Sequence, residues 1–139
     1  MAHAPLIRID LSSPTPAYEQ IAAEIRSLLV AGELPPGAML PTVRQLGNDL
    51  NVHHNTVAQA YRILAEEGWL DLRRGRGARV IARSKPARPN RDSHNTFRLE
   101  LKRLLAKAAA EGMSPKTIAH QLTVHARALK EWNSRKGEP

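Results

Sequence analysis

Ten residues of this chain, 53 to 62, concentrate side chains that read a polyanion: His53, His54, Asn55, Thr56, Gln59 and Arg62. Asn55 and Gln59 each carry a donor and an acceptor, the pair that matches an adenine edge. Thr56, beside the free amides of a helix start, suits a phosphate. Arg62 is placed to track a backbone, and two adjacent imidazoles add charge that varies near neutral pH. A second concentration runs from Arg73 to Arg91, where eight basic residues occur with no acidic one. Most charge runs are solvated loops. Here Gly75 and Gly77 stand among Arg73, Arg74 and Arg76, which argues for a shaped tip. Its backbone can approach phosphate, and its arginines can reach phosphates or a narrow minor groove.

Composition points the same way. The formal net charge is +8, which attracts polyanions, nucleic acid first and anionic membrane second. Hydrophobic content of 42% supplies a real core, whereas 4% aromatic content disfavours stacking on single-stranded bases. With no cysteine, disulfides, zinc fingers and thiol nucleophiles are excluded together. No window approaches the ~18 apolar residues that span a bilayer, and MAHAPLIRID is not a signal peptide, so a cytoplasmic setting without membrane association is expected. There is no catalytic carboxylate pair, nucleophile motif or metal cluster, and neither enzyme activity nor a cofactor is expected. His120 and His125 stand about 140° apart on a helix and read as surface and seam residues. A nucleotide cradle at Gly75 and Gly77 would need to lead from a strand into a helix, and this turn leads into another strand.

The elements that must position these residues follow from periodicity. Tyr18, Ile21, Ile25 and Leu28 mark a first helix, ending near Gly32; Leu34 to Gly37 is a proline-forced turn. A second helix opens at Thr42 with Gln45 completing a capping box, and buries Val43, Leu46 and Leu50. After a turn at Asn51 comes a third, with Val57, Tyr61 and Leu64 inward and the polar set outward. Residues 69–72 and 79–82 flank a glycine-containing turn and read as a β-hairpin. The expected fold is mainly α with a small β-hairpin: a winged helix-turn-helix over residues 5–83, a linker over 84–92, and a two-helix hairpin over 93–133. In that hairpin Phe97, Leu101, Leu104 and Ala108 form one stripe, and Ile118, Leu122, His125, Leu129 and Trp132 the other, predicting one continuous apolar seam.

The series LPTVRQL, LNVHHNTV, AYRILAEEG and RRGRGARV, preceded by PAYEQI and GELPPG, resembles the GntR family of bacterial transcription regulators over about residues 5–83. The order of the motifs makes the match specific. The resemblance implies double-stranded DNA as partner, with Thr42, Arg44, His53, His54, Asn55, Thr56, Gln59 and Arg62 on the reading face. The wing follows at Arg73, Arg74, Gly75, Arg76 and Gly77. Arg44 is implied to meet phosphate or a guanine at the groove edge. One departure is His53-His54, where the family pattern has a small capping residue and often arginine. Histidine is a poor cap, so an unusual operator is expected, with binding that tightens below pH ~6.5.

About 50 residues follow the wing, too few for the large effector domains of many relatives and similar to the short YtrA-type subfamily. The apolar seam must find cover on the winged helix or on a second copy. A homodimer on a palindromic operator is the better fit, with Phe97, Leu101, Leu104, Ile118, Leu122, Leu129 and Trp132 at the interface. SPKTIAHQLTVHARALKEW (114–132) also weakly resembles a second helix-turn-helix, but lacks the turn glycine. Repression is the family's usual mode. An architectural protein without sequence preference and a protein-interaction module are rival readings, and a small-molecule effector is left open.

Overall fold

The computed structural model describes residues 7–73, 77–82 and 90–135. The chain divides into two units, residues 1–86 with 132–139, and residues 87–131. In the first unit α1 (Ala17–Val30), α2 (Val43–Leu50) and α3 (His54–Glu66) are followed by β1 (Leu70–Asp71) and β2 (Arg79–Val80). The second holds α4 (Arg91–Ala110) and most of α5 (Pro115–Arg135).

α3 is the centre of the first unit, since α1, α2 and β1 all pack on it. Its inward stripe of Val57, Ala60, Tyr61 and Leu64 meets Ile21, Ala22, Ile25 and Leu29 of α1 and Leu46 of α2, all buried. Burying each large aliphatic side chain contributes about 1.5–3 kcal/mol before chain entropy is subtracted. Arg26 of α1 adds a two-pronged bond to Glu67, the C-cap of α3, with Nε donating at 2.8 Å and Nη2 at 2.7 Å.

β1 and β2 pair antiparallel, Leu70 opposite Val80 and Asp71 opposite Arg79. β2 also has a partner on its other side that periodicity does not reveal. The Gly37 and Leu40 amides donate to the carbonyls of Val80 and Ala78, and the Val80 amide donates to Ala38, each at 2.8 Å. Residues 37–40 are thus a third edge of the wing, leading directly into α2.

α4 begins at Arg91, capped by the Asn90 side chain, two residues inside the expected linker. α5 begins after Ser114, whose hydroxyl accepts the Thr117 amide at 3.1 Å. Among the described residues α4 and α5 do not pack against each other, and their apolar stripes are largely open. Phe97 is 64% exposed, Leu104 63%, Leu129 47% and Leu122 41%, while Leu101 and Ile118 are half-buried. Trp132 departs from this set, since its ring lies 5.4 Å from that of Trp69 in the first unit.

Candidate nucleic-acid interface

The reading face is built at the α2–α3 turn. Asn51 ends α2 in the left-handed region, φ 58°, which asparagine tolerates better than most residues. The Val52 amide returns to the Gly47 carbonyl at 2.9 Å. At Gly47 an added Cβ would stand 2.9 Å from the Val52 oxygen and 3.4 Å from His54 Cα, so only glycine lets α3 start this close to α2.

His53 then caps α3. Its backbone is extended, and its Nδ1 accepts the Asn55 amide at 3.1 Å. The imidazole that sequence reasoning ranks as a poor cap therefore does the work of a serine hydroxyl. The His53 and His54 rings stack with centroids 4.2 Å apart. Beyond the cap, Asn55, Gln59 and Arg62 are exposed, whereas Thr56 is half-buried.

α2 is fixed from both sides. Thr42 Oγ1 accepts the Gln45 amide at 3.1 Å while Gln45 Oε1 accepts the Thr42 amide at 3.0 Å, the capping box the sequence predicts. Thr42 is exposed, with its hydroxyl engaged in the cap. From α3, the buried Tyr61 hydroxyl donates to the Pro41 carbonyl at 2.7 Å, and burial pushes that hydroxyl's pKa well above its ordinary range.

Arg44 lines two neighbouring clefts. One is formed with Thr42, Val43, Ala58, Tyr61, Arg62, Leu72 and Gly77. The other is formed with Gly47, Asn48, Val52, His53 and His54. Among the described residues no carboxylate lines either, so these two clefts carry arginine and imidazole without a competing negative charge. Candidate residues from α2, α3 and the base of the wing are thus gathered together. Arg73 is exposed beside Asp71, whose Oδ1 accepts its amide at 3.1 Å, and Gly77 has φ 72°. The expected tip residues Arg74, Gly75 and Arg76 lie outside the described residues. Arg79, which the sequence offers only as a member of a basic run, joins Met39, Asp71, Arg73 and Gly77 around a third cleft on the wing. Among the described residues no group of three or more metal-ligating side chains comes together, and no helix is long and apolar enough to cross a membrane.

A three-helix unit with a β-wing, offering the start of its third helix beside acid-free clefts, has the form of a winged helix-turn-helix DNA-binding domain. The family model for bacterial regulatory proteins of the gntR family matches residues 17–80. The solved structure of YtrA from Sulfolobus acidocaldarius, a GntR-family transcription factor, is 38% identical. It aligns with 72% of this chain and 97% of that one at a TM-score of 0.53. This chain belongs to the GntR family. It is 40% identical over 80 residues to the HTH-type transcriptional repressor YtrA of Bacillus subtilis, covering 58% of this chain and 62% of that protein. The HTH-type transcriptional regulator Rv1152 of Mycobacterium tuberculosis is also 40% identical over 80 residues, with 58% and 65% covered. The chain thus spans somewhat less than two thirds of the length of these two curated relatives.

Proposed function

We propose that this chain is a sequence-specific, double-stranded-DNA-binding transcription regulator, a repressor that acts as a homodimer on a palindromic operator. The observation that carries the reading is the pair of acid-free clefts sharing Arg44, set against the exposed Asn55, Gln59 and Arg62 of α3. α3 enters the major groove, Asn55 and Gln59 meet base edges, and Arg44 and Arg62 meet phosphates or a guanine. Arg73, Arg74, Gly75, Arg76 and Gly77 follow the adjoining backbone. Occupancy of the operator excludes polymerase.

The uncovered apolar residues of α4 and α5 support the homodimer. A second copy gives Phe97, Leu101, Leu104, Ile118, Leu122 and Leu129 a partner of matching chemistry and doubles the phosphate contacts. The names of the curated relatives support a regulatory role, and that of the Bacillus subtilis protein supports repression.

Selection of bound duplexes from a random library at about 150 mM salt, followed by a salt titration on the winner, tests the reading. A palindromic motif with a steep salt slope is expected. Salt-sensitive binding that enriches no sequence would assign the protein to the architectural class, and absence of duplex binding would remove the reading entirely.

A further inference from the structure

We infer that His53 meets DNA as a neutral imidazole whose Nε2–H is the donor, its tautomer fixed by the recognition-helix cap, so that acid weakens binding. The inference rests on the DNA-binding reading above and specifies what one residue of that face presents.

The geometry begins at the cap. Nδ1 of His53 accepts the Asn55 amide at 3.1 Å, and a ring nitrogen accepts only when it carries no proton. In a neutral imidazole the single proton then sits on Nε2. The exposed ring therefore offers a donor and no acceptor. Duplex DNA supplies matching acceptors in phosphate oxygens, in N7 of both purines, and in O6 of guanine and O4 of thymine. The amino groups of adenine and cytosine are donors and find no complement there.

Protonating this imidazole places an N–H on Nδ1 against the Asn55 N–H, donor facing donor, and the cap is lost. It also puts a cation at the positive end of the α3 dipole. The charged and titratable groups that face the ring are Arg44 of α2, which lines the same cleft, and His54 of α3, which stacks on it at 4.2 Å; among the described residues no carboxylate lines that cleft. The working form is the neutral one. This reverses the pH dependence expected from the His53-His54 pair in the sequence, where an extra positive charge helps to hold phosphate.

The full chain is titrated with its selected duplex at pH 7.5 and 5.5, at matched ionic strength, alongside His53→Ser. Serine keeps a cap acceptor and removes the imidazole. Wild-type affinity is expected to fall by about fivefold or more between these two pH values. The acid loss should vanish in His53→Ser while the melting temperature at pH 7.5 stays within about 2 °C, a small fraction of what loss of the cap brings. The contacted acceptor is identified in the same variant. Weaker binding spread evenly over all sequences marks a phosphate, whereas one relaxed position in the selected motif marks a base edge; a neutral donor leaves the salt slope unchanged in either case. Long-range proton–nitrogen spectra of the free protein are expected to show His53 as the Nε2–H tautomer.

Binding that tightens or stays flat in acid, an acid loss that persists in His53→Ser, or an Nδ1–H tautomer each overturns the inference. So do an affinity at pH 7.5 and a motif both unchanged in the variant. A flat pH profile on a duplex that still binds leaves the DNA-binding reading intact. No duplex bound at pH 7.5 removes that reading and this inference with it.

Discussion

The Tyr61 hydroxyl, on the inner face of α3, donates a 2.7 Å hydrogen bond to the carbonyl of Pro41, the residue before the cap of α2. It ties the middle of one helix to the start of the other. Tyr61→Phe leaves that carbonyl without this donor and is expected to lower stability by about 1–2 kcal/mol in denaturant titrations. The variant also has a pH signature. Burial raises the Tyr61 hydroxyl above its ordinary 10.0. Its contribution is complete below that value and is lost as pH rises through the folded-state value. Wild-type stability should therefore fall more steeply above pH 10 than that of Tyr61→Phe, and parallel curves there would remove the assignment.

At Gly47 two effects compete. Alanine gains about 1 kcal/mol of helix propensity over glycine. The new methyl meets backbone atoms of Val52 and His54, which have no side-chain freedom with which to yield. Overpacking of this kind costs about 1–3 kcal/mol. Gly47→Ala should be destabilised by up to about 2 kcal/mol, with weaker DNA binding. An unchanged melting temperature would show that the α2–α3 approach tolerates the shift.

Arg44 is exposed, so its removal should leave folding alone. Arg44→Ala is expected to weaken DNA binding by about tenfold and to reduce the salt slope by about one if the contact is to phosphate. Loss of preference at one base-pair position, with the slope preserved, would place it on a base instead. Unchanged binding would detach both clefts from the DNA face.

Leu104 and Leu122 are exposed within the chain, and charge at those positions costs the protomer little. Leu104→Glu with Leu122→Glu should sediment as a monomer, with the winged-helix melting transition retained. Its affinity for a palindromic duplex should fall by on the order of a hundredfold, since the second half-site no longer binds in the same event. A double variant that remains dimeric would move the interface elsewhere.

The three helices of the first unit were legible because each has a strong apolar stripe, and α2 has a capping signal at its start as well. The Thr42–Gln45 box can be read straight from residue spacing. The edge formed by residues 37–40 was not. It is too short to alternate, sits between Pro36 and Pro41, and exists only because β2 has a free side. The role of His53 was missed for a related reason, since cap statistics rank the side chain and the local geometry that brings Nδ1 to the Asn55 amide decides it. Helical spacing placed α4 and α5 and drew an apolar stripe on each. It could not say which surface each stripe meets, and it grouped Trp132 with a seam when the ring rests on Trp69. The candidate DNA face was legible as a set of residues. Its dependence on Gly47, and the position of Arg44 between two clefts, required coordinates.

The bond from the Leu40 amide to the Ala78 carbonyl stitches the wing to the chain two residues before Thr42. Wing base and reading helix are therefore jaws of one caliper, set at a fixed opening by backbone. On the DNA-binding reading proposed above, such a device would gauge the width of the duplex it closes on, rejecting sites whose grooves are too wide or too narrow even when their bases are correct. Operator choice would then be partly a measurement of shape, made before any side chain reads a letter.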